Sequence, residues 1–271
     1  MTTNFSEKLL AAPGKKVKLA DWDPEDTLGW NKDHHMKRSL DKAVERIDKL
    51  QYLLYAEHKR ALLIMLQGLD AAGKDGTIRH VMAGVNPQGC SVVSFKKPSA
   101  EEASHEYLWR IHKAVPDYGN IGIFNRSAYE DVLVVRVHDL VPRGVWSKRY
   151  DQINRFEQLL DDNSVKILKF FLHISKDEQK KRFEERIEDP DRRWKISEAD
   201  FGERRYWDDY VDAYEAALTK CSTPYAPWFI IPSNKKWFRN LAVSHIIAET
   251  LEAMHMKFPK PTVDVKRLKW K

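Results

Sequence analysis

The chain has 271 residues, of which 42% are hydrophobic, and its formal net charge is +6. This apolar share is ordinary for a globular protein with a core, and no apolar run approaches the length of a transmembrane helix. The two cysteines, Cys90 and Cys221, lie far apart without a CxxC pair, which argues against a disulfide framework or a structural zinc. The positive charge suggests a polyanionic partner, although a solvated surface explains it equally well.

Residues 1–58 are predicted to be an N-terminal extension followed by one helix. Residues 1–32 are polar and irregular, with Trp22 and Trp30 as candidate anchors to the body of the protein. Apolar side chains then recur at helical spacing over residues 37–59, which predicts an amphipathic helix. The first ten residues lack the apolar run of a secretory signal, so we expect a cytoplasmic protein.

A glycine-bounded loop is the most informative stretch of the chain. Residues 61–66 are apolar and predict a buried strand, and after the loop a helical pattern runs to about Gly84. Between them, Gly68 and the Gly73-Lys74 pair have the spacing of a phosphate-binding P-loop. Backbone N–H groups and the helix N-terminus attract phosphate oxygens there, and Lys74 adds a point charge. An ordinary turn with a solvated lysine is the weaker alternative.

The loop departs from the usual pattern at one position. Asp75 occupies the place of the Ser or Thr whose hydroxyl usually helps to hold Mg²⁺. We therefore take Asp70, inside the loop, as the candidate metal ligand, because a carboxylate is a hard oxygen ligand suited to Mg²⁺. Further loop residues are expected around the bound phosphates: Ala71, Ala72, Gly73, Asp75, Gly76 and Thr77.

The second predicted strand, residues 90–95, leads into Lys96 and Lys97. Ligands of open α/β sheets bind beyond the carboxyl ends of the strands, so these lysines are candidates for binding a polyanion. Solvated lysines on a loop are an equal alternative. A helix is predicted next, over residues 100–114.

The third predicted strand, residues 120–124, runs into Asn125 and Arg126. An arginine at this place can stabilise charge on equatorial phosphoryl oxygens, as an arginine finger does. Glu130 and Asp131 are candidates for contact with metal-bound water or the acceptor. The alternative is that they are simply acids favoured at a helix N-terminus. We expect one continuous helix over residues 128–140, from which Arg136 projects.

The rest of the chain is predicted to alternate helices and strands around one basic loop. Helices are expected over residues 146–160, from 177, over 203–220 and over 235–254, strands over 166–174 and 228–232, and a Lys- and Pro-rich tail over 257–271. The basic loop, about residues 189–202, is interpreted as a lid that closes over phosphates and excludes water, and a solvated charge run is the alternative. The cations on the lid side are Arg182, Arg186, Arg192, Arg193 and Lys195.

These residues together resemble the polyphosphate kinase 2 family. The resemblance rests on the loop from Gly68 to Gly76, on the segment Phe124 to Ser127 with Tyr129, and on the lid segment from Asp189 to Lys195. It covers roughly residues 35–255. Asn125 followed by Arg-Ser resembles the subclass that phosphorylates both AMP and ADP, and Ala128 is small where similar sequences often carry a bulky residue.

The resemblance implies an α/β fold: a P-loop NTPase-like three-layer sandwich, thymidylate-kinase-like, with a five-stranded parallel sheet between helices and a helical lid. It implies one kinase domain over residues 1–271 that transfers phosphoryl groups between inorganic polyphosphate and AMP, ADP or ATP with Mg²⁺, and that forms dimers or tetramers. It makes Asp70 the acid that organises the metal, Lys74 the phosphate-binding lysine and Arg126 the Walker-B arginine. The residues expected to take part in the transfer itself are Asp70, Lys74, Asn125, Arg126 and Arg186.

Two other functions remain as alternatives. An ATP-dependent nucleoside monophosphate kinase on the same fold is one, and Asp75 in place of Ser or Thr argues against it. A nucleic-acid-binding module is the other. The chain shows no guanine-reading NKxD motif, no helix-turn-helix and no RNA-binding signature, so we expect no nucleic-acid partner.

Overall fold

The computed structural model describes residues 3–263. For residues 199 and 200 it describes the backbone but not the side chains. The predicted tail is seen over residues 257–263, where it forms neither helix nor strand, and its remainder lies outside the described residues. Among the described helices, none has the length and hydropathy that crossing a membrane requires.

Five parallel strands form one sheet in the order β2-β3-β1-β4-β5. Every residue of the central β1 is buried, as expected of a parallel strand covered on both faces. The prediction of a five-stranded parallel sheet is therefore confirmed. The strands are β1 (Ala61–Gln67), β2 (Cys90–Ser94), β3 (Ile121–Asn125), β4 (Val165–His173) and β5 (Trp228–Pro232).

Helices cover both faces of the sheet. Leu63 and Met65 of β1 belong to one apolar core, whereas their neighbours Leu62 and Ile64 belong to a second core on the opposite face. The predicted three-layer sandwich is thus confirmed. The helices are α1 (Phe5–Lys8), α2 (His34–Glu57), α3 (Lys74–Val81), α4 (Ala100–Ala103), α5 (Trp109–Lys113), α6 (Val134–Val137), α7 (Arg143–Asp162), α8 (Lys176–Glu188), α9 (Glu198–Glu203), α10 (Trp207–Cys221) and α11 (Lys236–Ala253).

The predicted helix over residues 100–114 is wrong as one element, because the structure has the two short helices α4 and α5. A capping box between Ser99 and Glu102 starts α4. The Ser104 hydroxyl donates to the carbonyl of Glu101, and the Glu106 carboxylate accepts from the N–H of Leu108. These local side-chain bonds to the backbone compete with the helical pattern and separate the two turns.

The predicted continuous helix over residues 128–140 is also wrong. The structure has a 3-10 turn, Ala128–Asp131, and then the single turn of α6. Arg149 of α7 donates to the backbone carbonyl of Asp131, which takes that acceptor away from a continuing helix. The run of valines that follows adds β-branched side chains that crowd a helix.

Most of the remaining predicted elements are found with shifted ends, and one is divided. Helix α2 begins at His34 because Asp33 caps it, and α3 ends at Val81 before the predicted Gly84. In place of one helix over residues 203–220, the chain forms α9, a 3-10 turn at Arg204–Tyr206 and α10.

The N-terminal extension packs along the open edge of the sheet. Leu10 forms an isolated antiparallel bridge with Phe229, so the segment after α1 covers the edge strand β5. Trp22 and Trp30 are half-buried and pack against the two cores, one on each. Both tryptophans thus hold the extension against the body of the protein.

Candidate active site

Three chain segments meet at the carboxyl edge of neighbouring strands β2, β3 and β1. The loop Gly68–Lys74, called the P-loop below, follows β1, while Lys96 follows β2 and Arg126 follows β3. They enclose a cleft, the phosphate cleft, with an empty volume of about 1080 Å³ that is partly open to solvent. Its lining residues are Asp70, Ala71, Gly73, Lys74, Asp75, Gly76, Lys96, Asn125, Arg126, Arg186, Trp194 and Lys195.

The backbone of the P-loop takes conformations that most residues avoid. Gly73 has φ +102°, and Ala71 has φ 63° in the left-handed region. Helix α3 starts directly at Lys74, so the N–H groups of its first turn have no helical partners and are available at the cleft. This is the geometry of an anion site at a helix N-terminus.

Lys74 is held against the loop that contains it. Its Nζ donates to the carbonyl of Gly68 at 2.7 Å and lies 3.4 Å from that of Leu69, and the residue is only 9% exposed. Burial, followed by the charge of nearby Arg126, lowers the pKa of Lys74 to about 8. The amine is therefore a desolvated cation whose charge is sensitive to pH near neutrality.

Arg126 bridges two carboxylates at the mouth of the P-loop. Its Nη2 lies 2.9 Å from Asp70 Oδ1, and its Nη1 lies 3.0 Å from Glu130 Oε2. Burial acts to lower the pKa of Arg126, but Glu130 and Asp70 outweigh it and the pKa is raised. Arg126 has φ 66°, a left-handed conformation that costs a residue with a Cβ roughly 1–2 kcal/mol. The fold thus holds this side chain in place at an energetic cost.

Asn125 and Asp75, both expected near phosphates, contact each other. Asn125 Nδ2 donates to Asp75 Oδ1 at 2.7 Å. Asp75 stands where a usual P-loop has Ser or Thr, and Asn125 at the end of β3 therefore orients its carboxylate.

A second chamber opens on the other side of Asp70 and Arg126, and these two residues line both spaces. This aromatic chamber has an empty volume of about 460 Å³. It combines aromatic rings from α10 with acidic groups, and Tyr210 donates to Glu203 at 2.8 Å. Its lining residues are Gly68, Leu69, Asp70, Arg126, Glu130, Leu133, Val134, Gln179, Glu203, Arg204, Trp207, Tyr210 and Tyr214.

Sequence reasoning missed the part of this chamber that comes from α9 and α10. Trp207, Tyr210 and Tyr214 recur at helical spacing of three and four residues, which indicates one face but cannot separate a core face from a ligand face. Arg204 donates to Gln179 at 2.8 Å and so is fixed at the chamber wall. The available signal was the aromatic stripe directly after the lid.

Only part of the predicted lid contributes to the cleft. Arg186, Trp194 and Lys195 line it, and Trp194 is 77% exposed with Lys195 5.0 Å from the centre of its ring. Arg192 forms an ion pair with Asp189 at 2.9 Å, and Arg193 donates to the carbonyl of Ile187. Arg192 and Arg193 are exposed and do not line the cleft.

Arg182 lies behind the P-loop and does not line the phosphate cleft. Its Nη1 donates to the carbonyls of Ala71 and Ala72 at 2.8 and 3.1 Å, and its Nη2 donates to those of Ser233 and Asn234. Its guanidinium is therefore engaged in holding the loop. This corrects the expectation that Arg182 contacts phosphate directly.

Several other expected site residues also lie outside the lining of the phosphate cleft. Asp131 is paired with Arg149 at 3.0 Å, and burial raises the pKa of Asp131 to about 6. Arg136 donates to the carbonyl of Asp212 and lies over the ring of Trp146. Buried Thr77 donates to the carbonyl of Gly73, buried Ala72 lies under the loop, and exposed Lys97 faces a neighbouring groove.

The donor set near Asp70 fits a metal that arrives with substrate. Among the side chains of residues 3–198 and 201–263, no group of three or more from His, Cys, Asp and Glu is arranged to hold a metal ion. Mg²⁺ commonly takes only one or two carboxylates and completes its shell with phosphate oxygens and water. The carboxylate of Asp70, at the junction of the two chambers, satisfies that requirement.

Comparison with known proteins finds matches over nearly the whole chain. The family model described as polyphosphate kinase 2 matches residues 30–259. The AMP/ADP-polyphosphate phosphotransferase of Meiothermus ruber is 51% identical over 256 residues, which cover 94% of this chain and 96% of that relative. The ADP-polyphosphate phosphotransferase of Rhodopseudomonas palustris is 48% identical and covers 92% and 90%, respectively. The crystal structure of polyphosphate kinase 2 from Arthrobacter aurescens superposes with a TM-score of 0.93 at 42% identity, covering 97% of this chain and 94% of that one.

Proposed function

The chain belongs to the polyphosphate kinase 2 family, and on that premise we propose that it transfers phosphoryl groups from inorganic polyphosphate to both AMP and ADP. Adenine nucleotides and polyphosphate are the substrates named for its close relatives. The whole chain, residues 1–271, acts as one kinase domain in this proposal, with residues 189–202 as its lid.

The proposal rests on one observation: the phosphate cleft and the aromatic chamber adjoin, with Asp70 and Arg126 lining both. The phosphate cleft is lined by five cations and two carboxylates, a balance suited to a chain of phosphates. The aromatic chamber offers rings for stacking and carboxylates for hydroxyl groups, as a nucleoside requires. We therefore assign polyphosphate to the cleft and the nucleotide to the chamber. The five cations are Lys74, Lys96, Arg126, Arg186 and Lys195.

Transfer takes place where the chambers meet, beside Asp70 and Arg126. The N–H groups at the start of α3 and the cation of Lys74 hold the terminal phosphoryl group of the donor. Arg126 stabilises the charge that spreads over the equatorial oxygens during an in-line displacement. Asp70 would hold Mg²⁺, which would supply further positive charge at this point when bound. Lys195 of the lid and Arg186, at the end of α8 beside it, close over the polyphosphate chain and exclude water.

A time course followed by ³¹P NMR tests the proposal. The purified protein is mixed with AMP, Mg²⁺ and either polyphosphate or ATP as the donor. We expect ADP and then ATP to accumulate with polyphosphate, and much slower transfer from ATP to AMP. Faster transfer from ATP would instead indicate an ATP-dependent monophosphate kinase.

The proposal extends to a cytoplasmic homo-oligomer, a dimer or a tetramer. Exposed aromatic side chains on and beside α2 support association, because contiguous apolar surface on a soluble protein often marks an interface. Light scattering coupled to gel filtration measures the number of subunits, and a monomer at working concentration contradicts this part. The exposed aromatic residues are Tyr52, Tyr55, Tyr118 and Phe258.

A further inference from the structure

Arg239 of α11 touches the P-loop although it lines neither chamber and no sequence pattern singled it out. The residue is only 3% exposed. Its Nη1 donates to the carbonyl of Ala72 at 3.2 Å, across 167 positions of sequence. The last helix of the fold therefore supports the loop that grips phosphate.

Two glycines let this guanidinium approach the loop. A Cβ at Gly73 would lie 1.9 Å from Arg239 Nη1, and a Cβ at Gly76 would lie 3.3 Å from Nη2. Gly73 also has a φ of +102°, a conformation that favours glycine. Gly76 lies inside α3 and has no positive φ that would require glycine. A side chain at position 76 would therefore stand in tight contact with Arg239.

The charge of Arg239 has no carboxylate to balance it. The amide oxygen of Asn240 accepts from its Nε at 3.2 Å and from its Nη2 at 2.9 Å. Within the described part of the chain, no Asp or Glu lies within ion-pairing distance of it. Neighbouring Arg182 also bonds the carbonyl of Ala72, but Glu178 pairs with that arginine at 2.7 Å. Two buried guanidinium groups and one carboxylate thus leave one positive charge beneath the loop.

The ionisation of Arg239 reflects the same arrangement. Burial, followed by the charge of Arg182, lowers the pKa of Arg239 to about 9. The side chain remains a cation at neutral pH, so the fold tolerates an unfavourable buried charge at this place. Such a charge becomes favourable once a polyanion binds nearby, because it acts through a medium of low dielectric constant that salt screens weakly.

We propose that Arg239 is a positioning residue that braces the P-loop and, because Asn240 leaves its charge unneutralised, strengthens binding of the polyphosphate chain. The inference rests on the proposed function in that the loop is taken to bind polyphosphate. The guanidinium never touches the donor. It acts through the peptide group that joins Ala72 to Gly73, whose carbonyl accepts its hydrogen bond.

The decisive variant is Asn240→Asp. It keeps the size of the side chain and the hydrogen bonds to Arg239, but it places a carboxylate where the amide stood. We expect binding of polyphosphate of defined length, measured by calorimetry without nucleotide, to weaken about tenfold, while the melting temperature is unchanged or higher. The KM for polyphosphate should rise in parallel, and the KM for AMP should stay the same.

Two further variants separate charge from support. Arg239→Gln removes the charge and should weaken polyphosphate binding at least as much, whereas Arg239→Lys keeps the charge and should retain most of it. Leu241→Ala is the matched control, because it destabilises α11 from a fully buried position without removing charge. It should lower the melting temperature and leave polyphosphate binding unchanged. If Arg239→Gln does not fold, Asn240→Asp alone decides the question.

Salt provides a second readout. The loss in Asn240→Asp should persist at about 0.5 M salt, where contributions of exposed lysines are largely screened. Equal binding by wild type and Asn240→Asp overturns the inference and leaves the proposed function standing. Absence of polyphosphate binding by the wild type overturns the proposed function itself.

Discussion

Asp70 and Arg126 face each other at 2.9 Å where the phosphate cleft and the aromatic chamber meet. Asp70 is also the candidate metal ligand, and Arg126 also forms an ion pair with Glu130. The ion pair keeps both side chains oriented before substrate arrives, which lowers the reorganisation needed during transfer.

Substitution of Lys74 by alanine should lower turnover about a thousandfold, because the variant loses the point charge that neutralises the transferring phosphoryl group. Steady-state kinetics measure the effect, and circular dichroism verifies the fold. Lys15→Ala, which removes an exposed lysine of the extension, is the matched control and should leave turnover intact. Near-normal turnover in a folded Lys74→Ala variant would remove Lys74 from the mechanism.

The lowered pKa of Lys74, about 8, predicts a pH dependence. Lysine is a cation below its pKa, so kcat/KM for polyphosphate, which reports the free enzyme, should fall as pH rises through about 8. Bound phosphate favours the cation and raises the pKa, so kcat should fall only at higher pH. Lys74→Arg stays charged throughout and should not show the fall in kcat/KM. The same fall in that variant would assign it to another group.

Asp70→Asn should increase the Mg²⁺ concentration for half-maximal activity about tenfold and lower the maximal rate, because an amide is a weaker ligand than a carboxylate. Titration of activity with Mg²⁺ at fixed substrate measures both. Asp75→Asn is the informative comparison, since it changes the other carboxylate of the cleft. A larger shift in Asp75→Asn than in Asp70→Asn would transfer the role of metal ligand to Asp75.

At the scale of elements, a buried polar network fixes the segment that carries Arg126. Lys169 of β4 donates to Glu157 of α7 and to the hydroxyl of Tyr129, and Tyr129 lies in the 3-10 turn just after Arg126. Both charged side chains are fully buried. The network joins a strand, a helix and the 3-10 turn that follows Arg126, so it helps to position Arg126.

Lys169→Met should destabilise the protein by about 3–5 kcal/mol, because it leaves the carboxylate of Glu157 buried without its cation. Urea unfolding measures the loss. The double variant Lys169→Met with Glu157→Leu removes both charges and should recover much of the stability. A single variant as stable as the wild type would contradict the importance of this pair.

At the scale of the whole molecule, the two chambers should respond separately to substitution. Lys195→Gln, in the phosphate cleft, should raise KM for polyphosphate severalfold and leave KM for AMP unchanged. Trp207→Ala, in the aromatic chamber, should raise KM for AMP and leave KM for polyphosphate unchanged, since it removes a surface on which a base can stack. Measuring both KM values for both variants completes the test. A shift of both constants in the same variant would contradict the assignment of one ligand to each chamber.

Much of the architecture could be predicted because its signals are local. The apolar runs fixed the five strands, and the spacing of Gly68 and Gly73-Lys74 between a strand and a helix identified the P-loop. Carboxyl ends of adjacent parallel strands meet at one edge, so Lys96, Asn125 and Arg126 could be placed near it in advance. The broken helices at residues 100–114 and 128–140 escaped prediction. Side-chain bonds of Ser104 and Glu106 to the backbone interrupt the first, and a bond from Arg149 to the backbone interrupts the second.

The sequence by itself determined the strands and the P-loop at which we expect phosphate to bind, since each of those features depends on a few neighbouring residues. Only the tertiary structure decided which cations reach the cleft. Arg182 and Arg186 stand one helical turn apart, yet one braces the loop and the other lines the cleft. Arg239 meets Ala72 from 167 positions away. No local pattern encodes such contacts, because they depend on how whole helices pack against the sheet.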